Sequence, residues 1–211
     1  MFYIIDNVLE NDFFYDGNLI LTYKINYPQI TNYNCISNKF NSYNKQIAFD
    51  LQDYIENTLL QDAKNLYEYN KSNGYPIMVY EIIYTYNVTY NANNIISIYS
   101  DHYIYSGGAH GLTTRSSQNW NMQCGKLISL NDLYKNNPYF ILDILKNINT
   151  QIEHEIENGT NQYFEDYCKL VLNTFNPQQF YIISDNEIAI YFQQYDIAPY
   201  SSGIPVFKLP Y

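Results

Sequence analysis

The sequence predicts an α+β fold with mostly antiparallel sheets and two or three packed amphipathic helices. Two long stretches repeat apolar residues at three- and four-residue steps, which is the period of a helix with one buried face. Tyrosine-rich and β-branched segments elsewhere alternate apolar and polar residues, as strands do. Several of these segments follow one another with only short turn signals between them, so the sheets are predicted to be antiparallel.

The first predicted strand and the first predicted helix lie in the amino-terminal third of the chain. The segment NLILTYKINYPQI has the alternation of a strand, which is predicted to end at a turn marked by Pro28. Helical periodicity starts at Ser37, and Asn73-Gly74 is a typical helix stop. The apolar positions that define this helix are Phe40, Tyr43, Ile47, Leu51, Tyr54, Ile55, Leu59, Ala63 and Leu66.

Two tyrosine-rich strands are predicted next, on either side of Asn91-Ala92-Asn93-Asn94, which is a hairpin signal. The motif GGAHG follows the second of these strands directly. Thr113 to Trp120 is polar but rich in β-prone residues. Gln123-Cys124-Gly125 then predicts a turn into the segment KLISL.

A second helix is predicted after residue 137. Asn137 is a plausible N-cap with Pro138 at the first helical position, and Asn158-Gly159 ends the pattern. The predicted apolar stripe consists of Ile141, Leu142, Leu145, Ile148, Ile152 and Ile156. A further helical segment is predicted from about Gln162 to Phe175.

The carboxy-terminal tail predicts a hairpin around Ser184-Asp185-Asn186, then a loop interrupted by Pro and Gly, and a short last strand. The change in pattern near residues 121–126 marks the natural seam of the chain. Two domains are therefore predicted, 1–122 and 123–211, packed together as one globular unit.

The charge of the chain restricts the classes of partner. Eleven Lys and Arg against twenty-one Asp and Glu give a formal charge of −10 and a pI of about 4.5. Such a charge opposes binding to the phosphate backbone of a nucleic acid, and we expect no nucleic acid partner. It would steer a cationic partner such as a basic protein, or it serves solubility alone.

The three cysteines and the amino terminus say less about the compartment. Cys35, Cys124 and Cys168 are odd in number and scattered, so neither a disulfide framework nor a zinc site is predicted. The amino terminus lacks the basic region of a signal peptide, and no segment is apolar enough for a membrane span. A cytoplasmic protein and an exported protein that has lost its export segment both remain open.

The segment from Ser106 to Gly111, SGGAHG, is the most unusual motif. It lacks the glycine spacing of a phosphate-binding loop, and the serine does not stand at the centre of a nucleophile elbow. We interpret Gly107, Gly108 and Gly111 as structural residues that let the chain bend. His110 is interpreted as a hydrogen-bonding strut of the loop, with ligand contact as the alternative.

Other candidate chemistry is weak. Asp101 and His102 point to opposite faces of an extended strand, so they do not chelate one ion together with His110, and no metal or cofactor is predicted. The segment QYDIAPYSSG places Tyr195 and Tyr200 around a proline, as an aromatic platform for a ligand or as a packed sheet edge.

Several motifs together carry a family resemblance: YKINYPQI with NKFNSYNKQI, YNVTYNANNIISIYSDHYIYSGGAHG, GKLISLNDLY and YFQQYDIAPYSSGIPVFKLPY. In this order they resemble the paired bacterial domains of the PdaC/RsiV type, from about Leu19 to Tyr211. The first half resembles the amino-terminal domain of a peptidoglycan deacetylase. The second half resembles the carboxy-terminal domain of a lysozyme-sensing anti-sigma factor.

The resemblance implies an α+β module without catalytic residues of its own, located outside the membrane of Gram-positive bacteria. It also implies recognition of lysozyme, whose basic character suits the charge of −10. The leading hypothesis is therefore a noncatalytic cell-envelope module that binds a basic protein, with Tyr105, His110, Tyr195 and Tyr200 as contact residues. Two alternatives remain: a module that binds peptidoglycan or another carbohydrate, and a hydrolase that uses Asp101, Ser106 and His110.

Overall fold

The protein, in a computed structural model, is described for residues 1–32 and 34–211. The α+β fold is confirmed. The strands are β1 Ile4–Tyr15, β2 Asn18–Ile30, β3 Tyr80–Ala92, β4 Ile95–Tyr105, β5 Leu112–Asn121, β6 Lys126–Leu127, β7 Phe180–Ser184, β8 Glu187–Tyr191 and β9 Val206–Pro210. The helices are α1 Cys35–Tyr54, α2 Leu60–Asn73, α3 Leu130–Leu133, α4 Phe140–Glu157 and α5 Tyr167–Thr174, with a π-helical turn at Ile55–Leu59 and a 3₁₀ turn at Tyr200–Ser202.

The strands form a six-stranded sheet in the order β1-β2-β3-β4-β5-β6 and a three-stranded sheet in the order β7-β8-β9. Pairs β1–β2, β5–β6, β7–β8 and β8–β9 are antiparallel, whereas β2–β3 is parallel. A parallel pair needs a long crossover, and α1, the π-helical turn and α2 supply it. No helix among the described residues is long and apolar enough to cross a membrane.

The chain divides into two compact units that exchange segments. The crossover unit consists of Phe2–Tyr86 and Ser100–Thr113, and the carboxy-terminal unit of Asn87–Tyr99 and Thr114–Tyr211 together with Met1. The division passes through β3, β4 and β5 rather than through a linker. The predicted domain boundary between residues 122 and 123 stays a prediction.

The crossover unit buries one face of the long helix against β2 and β3. Its core consists of Ile20, Leu21, Tyr23, Ile25, Tyr27, Ala48, Ile55, Leu59, Ala63, Tyr67, Tyr80, Ile82 and Tyr84. The predicted helix is confirmed up to its stop, where Gly74 takes the left-handed conformation at φ +70°. The predicted positions Tyr43 and Tyr54 are exposed.

A buried asparagine joins the start of the helix to the end of β2. Asn41 Oδ1 accepts the N–H of Ile30 at 2.8 Å, and Asn41 Nδ2 donates to the Ile30 carbonyl at 3.0 Å. Ile30 is buried, so this side chain supplies the hydrogen bonds that a neighbouring strand would otherwise provide.

Strand β2 continues through Pro28, so the predicted stop at Pro28 is wrong. Pro28 lies opposite Asp6 in the ladder. A proline fits such a position when its missing N–H would point away from the paired strand. The sequence-based prediction also omitted β1, because Asp6, Asn7, Glu10 and Asp12 interrupt its apolar pattern.

The hairpin predicted at residues 91–94 is confirmed and joins β3 to β4. Asn93 and Asn94 both have positive φ, at 49° and 59°. Two central residues with positive φ are what a type I′ turn requires, and asparagine tolerates this conformation better than most residues.

The carboxy-terminal unit packs α4 and α5 against the three-stranded sheet. Helix α4 buries Phe140, Ile144, Leu145, Ile148 and Ile152 in this core. The predicted stripe is therefore only partly right. The three predicted residues Ile141, Leu142 and Ile156 are exposed.

The predicted start of α4 is two residues early. The N-cap position is Tyr139, and Asn137 instead accepts the N–H of Tyr139 through Oδ1 at 2.9 Å in the preceding turn. The predicted stop is confirmed, since Gly159 has a φ of +65° directly after the helix. Strand β6 has only two residues, and α3 starts soon after it with a capping box formed by Ser129 and Asp132.

Polar side chains of the large sheet bind the backbone of β7 within the carboxy-terminal unit. Ser97 Oγ and Asn119 Oδ1 accept the N–H of Ile182, at 2.8 and 3.1 Å. Thr89 Oγ1 donates to the Ile182 carbonyl at 2.7 Å, and Asn119 Nδ2 donates to the Phe180 carbonyl at 3.0 Å. These side chains satisfy buried main-chain groups of β7 that β8 does not reach.

Candidate functional site

The GGAHG loop leads from β4 into β5. Gly107 and Gly108 have φ of +94° and +103°, which residues with a side chain rarely adopt. Tyr105 donates its phenol hydrogen to the Gly108 carbonyl at 3.0 Å and closes the turn. Gly111 does not have a positive φ, but a Cβ there would lie 2.4–2.6 Å from the ring and hydroxyl of Tyr103. Two physical reasons for glycine therefore operate within five residues.

His110 is an exposed residue of the same loop. Its Nδ1 lies 3.0 Å from the Gly111 carbonyl, so the neutral ring carries its proton on Nδ1 when this hydrogen bond forms. This contact is that of a loop strut, one of the two roles proposed from the sequence. Ser106 is exposed as well. The contact roles of Tyr105 and His110 stay predictions.

His102 of β4 lies partly buried, with its ring centroid 6.1 Å from that of Tyr84. Burial lowers the pKa of His102. The charged imidazole is therefore disfavoured in the folded protein.

The other two predicted contact residues, Tyr195 and Tyr200, lie side by side. Their ring centroids are 5.9 Å apart and the rings are tilted by 31°. Tyr195 has a φ of +68° and a side chain that is 48% exposed. The Gln193 N–H donates to Asp196 Oδ2 at 2.8 Å and stabilises the tight turn that contains Tyr195. Burial raises the pKa of Asp196.

A cleft of about 490 Å³ is called the aromatic cleft here, and one of its lining residues is Pro199, which precedes Tyr200 in the sequence. Its lining residues are Ile156, Asn161, Gln162, Tyr163, Phe164, Glu165, Tyr167 and Pro199. A smaller depression of about 290 Å³ shares Asn161 and Gln162 and adds Ser201 and Ser202. Ser202 Oγ donates to the Gln162 carbonyl at 2.9 Å and ties the two loops together.

Two carboxylates are associated with the aromatic cleft: Glu165 lines it, and Glu155 binds two of its lining residues. Tyr163 donates its phenol hydrogen to Glu155 Oε2 at 2.6 Å, and Asn161 Nδ2 donates to the same oxygen at 3.3 Å. Burial, together with the bond to Glu155, raises the pKa of Tyr163, so its phenol stays a neutral donor. Glu165 lines the cleft, which also lies at the carboxyl end of α4, where the helix dipole is negative.

The sequence-based prediction missed this cleft because it assigned residues 162–175 to a helix. Helix α5 begins only at Tyr167, so Tyr163, Phe164 and Glu165 lie on an irregular segment instead. The Phe164 N–H donates to the Ile197 carbonyl at 3.1 Å and fixes that segment to the loop after β8. Such a pairing of distant loops leaves no local pattern in the sequence.

Two family profiles match the chain in succession. The profile described as Deacetylase PdaC matches residues 16–113, and the profile described as Protein of unknown function (DUF3298) matches residues 131–211. The chain pairs a PdaC domain with a DUF3298 domain. The resemblance inferred from the sequence is confirmed. The GGAHG loop lies within the PdaC match, and the aromatic cleft lies within the DUF3298 match.

Solved structures share the fold over the whole chain. A DUF3298 family member from Bacteroides fragilis has a TM-score of 0.72 at 19% identity, with coverage of 100% of this chain and 90% of that chain. A DUF3298 family protein from Pseudomonas aeruginosa has a TM-score of 0.67 at 14% identity, covering 100% and 91%. Identities this low show the fold alone. No curated protein matches the chain.

The PdaC and DUF3298 domains show no metal-binding cluster in the part of the chain that is described, residues 1–32 and 34–211. No three His, Cys, Asp or Glu residues lie close enough there to hold an ion. Cys35, Cys124 and Cys168 are free and exposed. The single arginine of the sequence, Arg115, lies over the ring of Tyr99 with its guanidinium carbon 3.9 Å from the centroid, a cation–π contact.

Proposed function

We propose that this protein is a noncatalytic binding module of the cell-envelope type that recognises a basic protein such as lysozyme through the aromatic cleft of its DUF3298 domain. The observation that carries the proposal is the combination of a largely apolar, aromatic lining with the carboxylate of Glu165 in one cleft. Such a surface favours a partner protein that presents basic side chains and aromatic anchors.

The cleft suits a lysine or arginine side chain of a partner. Ile156 and Pro199 offer apolar surface for the aliphatic part of such a side chain. The rings of Tyr163 and Tyr167 offer π faces to the cation, and Glu165 offers a countercharge. The negative end of α4 acts in the same direction.

The charge of the DUF3298 domain supports the same partner. Residues 131–211 contain ten Asp and Glu against four Lys and no Arg, a net charge of −6. Long-range attraction of this sign raises the rate at which a cationic protein is encountered. The adjacent rings of Tyr195 and Tyr200 would provide the short-range anchor that the partner buries.

A second candidate function is binding of a cell-wall glycan. The observation in its favour is the set of amide and hydroxyl groups beside the aromatic rings, from Asn161, Gln162, Ser201 and Ser202. A sugar would stack on a ring and exchange hydrogen bonds with these neutral groups. No catalytic step is assigned to Asp101, Ser106 and His110.

The test is surface plasmon resonance with a cationic lysozyme and, separately, with a soluble peptidoglycan fragment. We expect micromolar or tighter binding of lysozyme, and a loss of about tenfold or more for Tyr200→Ala because an aromatic anchor is removed. Glu165→Gln should slow association, whereas Glu81→Gln, which removes an equal charge from an exposed site on β3, should not.

The outcomes separate the two functions. Binding of the glycan fragment but not of lysozyme would replace the leading proposal by the second one. Equal effects of Glu165→Gln and Glu81→Gln would show that net charge rather than the cleft governs recognition. Absence of binding to both probes would remove the proposed function.

A further inference from the structure

The outer edge of β1 carries a row of main-chain N–H and C=O groups. The hydrogen bonds of the β1–β2 hairpin show which of these groups point away from β2. The Thr31 N–H donates to the Tyr3 carbonyl at 3.3 Å, and these residues lie opposite each other in the continuation of the β1–β2 register. In an antiparallel pair, hydrogen-bonded and non-hydrogen-bonded positions alternate. Odd-numbered residues of β1 up to Phe13 therefore bond to β2, and even-numbered residues direct N–H and C=O away from it.

Three separate observations agree with this assignment of inward and outward main-chain groups. Ile30, opposite Ile4, turns its N–H and C=O to Asn41 rather than to β1. Pro28, which has no N–H, occupies a non-hydrogen-bonded position opposite Asp6. The outward N–H of Asp12 is bound by the neighbouring side chain of Asn11 at 3.0 Å.

The edge is long and is not covered by another strand. β1 stands at the end of the six-stranded sheet and has 12 residues. Across residues 1–32 and 34–211, no main-chain bond from a turn or loop engages Ile4, Asp6, Val8 or Glu10, the residues that the alternation assigns to the outer edge. β1 contains neither proline nor lysine, the residues that commonly block pairing at such an edge.

The side chains of β1 show what kind of strand this edge can accept. Leu9 and Phe13 face the core of the crossover unit. The opposite face carries the exposed residues Asp6, Glu10 and Asp12, with exposed Val8 between them. Asp6 accepts a hydrogen bond from Tyr86, and Glu10 lies 3.5 Å from Lys24 Nζ, but β1 itself carries three carboxylates and no cation.

We propose that the outer edge of β1 is a second binding surface, which pairs in β-strand fashion with an extended basic segment of a partner protein. A second copy of β1 is disfavoured, because antiparallel pairing would bring its carboxylates close to these ones. A segment with Lys or Arg at alternate positions places every cation on the carboxylate face. This surface lies in the crossover unit and is independent of the aromatic cleft.

The probe for the test is the synthetic peptide acetyl-(Lys-Thr)5-amide, added to the full chain at low salt. We expect saturable binding in fluorescence anisotropy, and slower amide hydrogen exchange at Ile4, Asp6, Val8 and Glu10. Two control peptides are acetyl-(Glu-Thr)5-amide and the Lys-Thr peptide N-methylated at the alternate residues that face the protein. Neither should bind, because the first repels the carboxylates and the second cannot donate main-chain hydrogen bonds.

Two proline variants distinguish the edge from the rest of the strand. Val8→Pro removes an outward N–H and should leave the fold intact while weakening peptide binding by about tenfold or more. Leu9→Pro removes an inward hydrogen bond to β2 and should destabilise the protein itself.

The proposal is overturned if the N-methylated peptide binds as well as the unmodified one, since charge alone would then explain the binding. Unchanged exchange at the four outward amides would overturn it too. Dimerisation of the free protein that Val8→Pro abolishes would assign the edge to a second copy instead. Glu165→Gln should leave the slower exchange at these four amides unchanged, so failure at this edge and failure at the aromatic cleft are distinguishable.

Discussion

At the scale of single residues, the GGAHG loop shows that neighbouring glycines serve different purposes. Gly108 has a φ of +103° and open space where a Cβ would stand. Gly111 has ordinary backbone conformation but lies against the ring of Tyr103. A substitution at Gly108 therefore strains the backbone, whereas one at Gly111 forces the aromatic ring to move.

We predict that Gly111→Ala lowers the free energy of unfolding by about 2–3 kcal/mol, as overpacking of a buried site does. Gly108→Ala should cost about 1–2 kcal/mol through its positive φ alone. Urea unfolding measures both. Combining each change with Tyr103→Leu should restore stability only for Gly111→Ala, and additive effects in that pair would contradict the ring contact.

His102 provides a prediction about pH at the same scale. Its pKa is lowered by burial, so between the folded-state pKa and the ordinary value of about 6.5 the unfolded chain binds more protons. Its contribution to stability is full above that window and is lost as the pH falls through it. The slope cannot exceed roughly 1.4 kcal/mol per pH unit.

We therefore expect His102→Gln to reduce the fall in the free energy of unfolding between pH 7 and pH 5. Above pH 8 the two proteins should show parallel pH dependence. An NMR titration of His102 below 6.5 would support the cause. An imidazole that titrates above this value would refute it.

At the scale of elements, single polar side chains dock helices and strands. Asn41 of α1 binds both main-chain groups of buried Ile30, and Asn119 of β5 binds main-chain groups of Phe180 and Ile182 in β7. Each does the work of a ladder partner at a position where no strand is adjacent. Loss of such a side chain leaves buried main-chain donors and acceptors without a hydrogen-bond partner, because water does not reach them.

We predict that Asn41→Ala lowers the free energy of unfolding by about 2–4 kcal/mol, since an N–H and a carbonyl both lose their partner. Asn38→Ala, on the exposed face of the same helix, should change it by less than about 0.5 kcal/mol. Chemical denaturation of the two variants is a matched comparison. Similar stabilities would show that the Asn41 contact is dispensable.

The elements with strong local signals were predictable from the sequence. The long helix up to Gly74, the hairpin at Asn93 and Asn94, and the α+β class follow from periodicity and turn chemistry. The strand β1 was not predictable, because Asp6 and Glu10 interrupt its apolar alternation. The start of α4 was not predictable either, because Asn137 caps a turn instead of the helix. The aromatic cleft depends on a long-range contact between loops, which no window of sequence displays.

At the scale of the whole molecule, we expect the charge of −10 to affect the rate at which a cationic partner is met more than the strength with which it is held. The Debye length shortens from about 30 Å at 0.01 M salt to about 10 Å at 0.1 M. We predict that the association rate with a cationic lysozyme falls over this range while the dissociation rate changes much less. Surface plasmon resonance at the two salt concentrations gives both rates, and a salt-independent association rate would eliminate electrostatic steering.

The carboxy-terminal unit is assembled from segments that are distant in sequence, which has a consequence during synthesis on the ribosome. Ser97 and Asn119 leave the exit tunnel before Ile182, the residue whose N–H they bind. Roughly 60 residues separate Asn119 from Ile182, which corresponds to about 3–12 s of translation at common elongation rates. For that time the amides and hydroxyls of β4 and β5 face water or a chaperone. A chain that ends within α4 would lack β7, so its amino-terminal two thirds could not complete the carboxy-terminal unit.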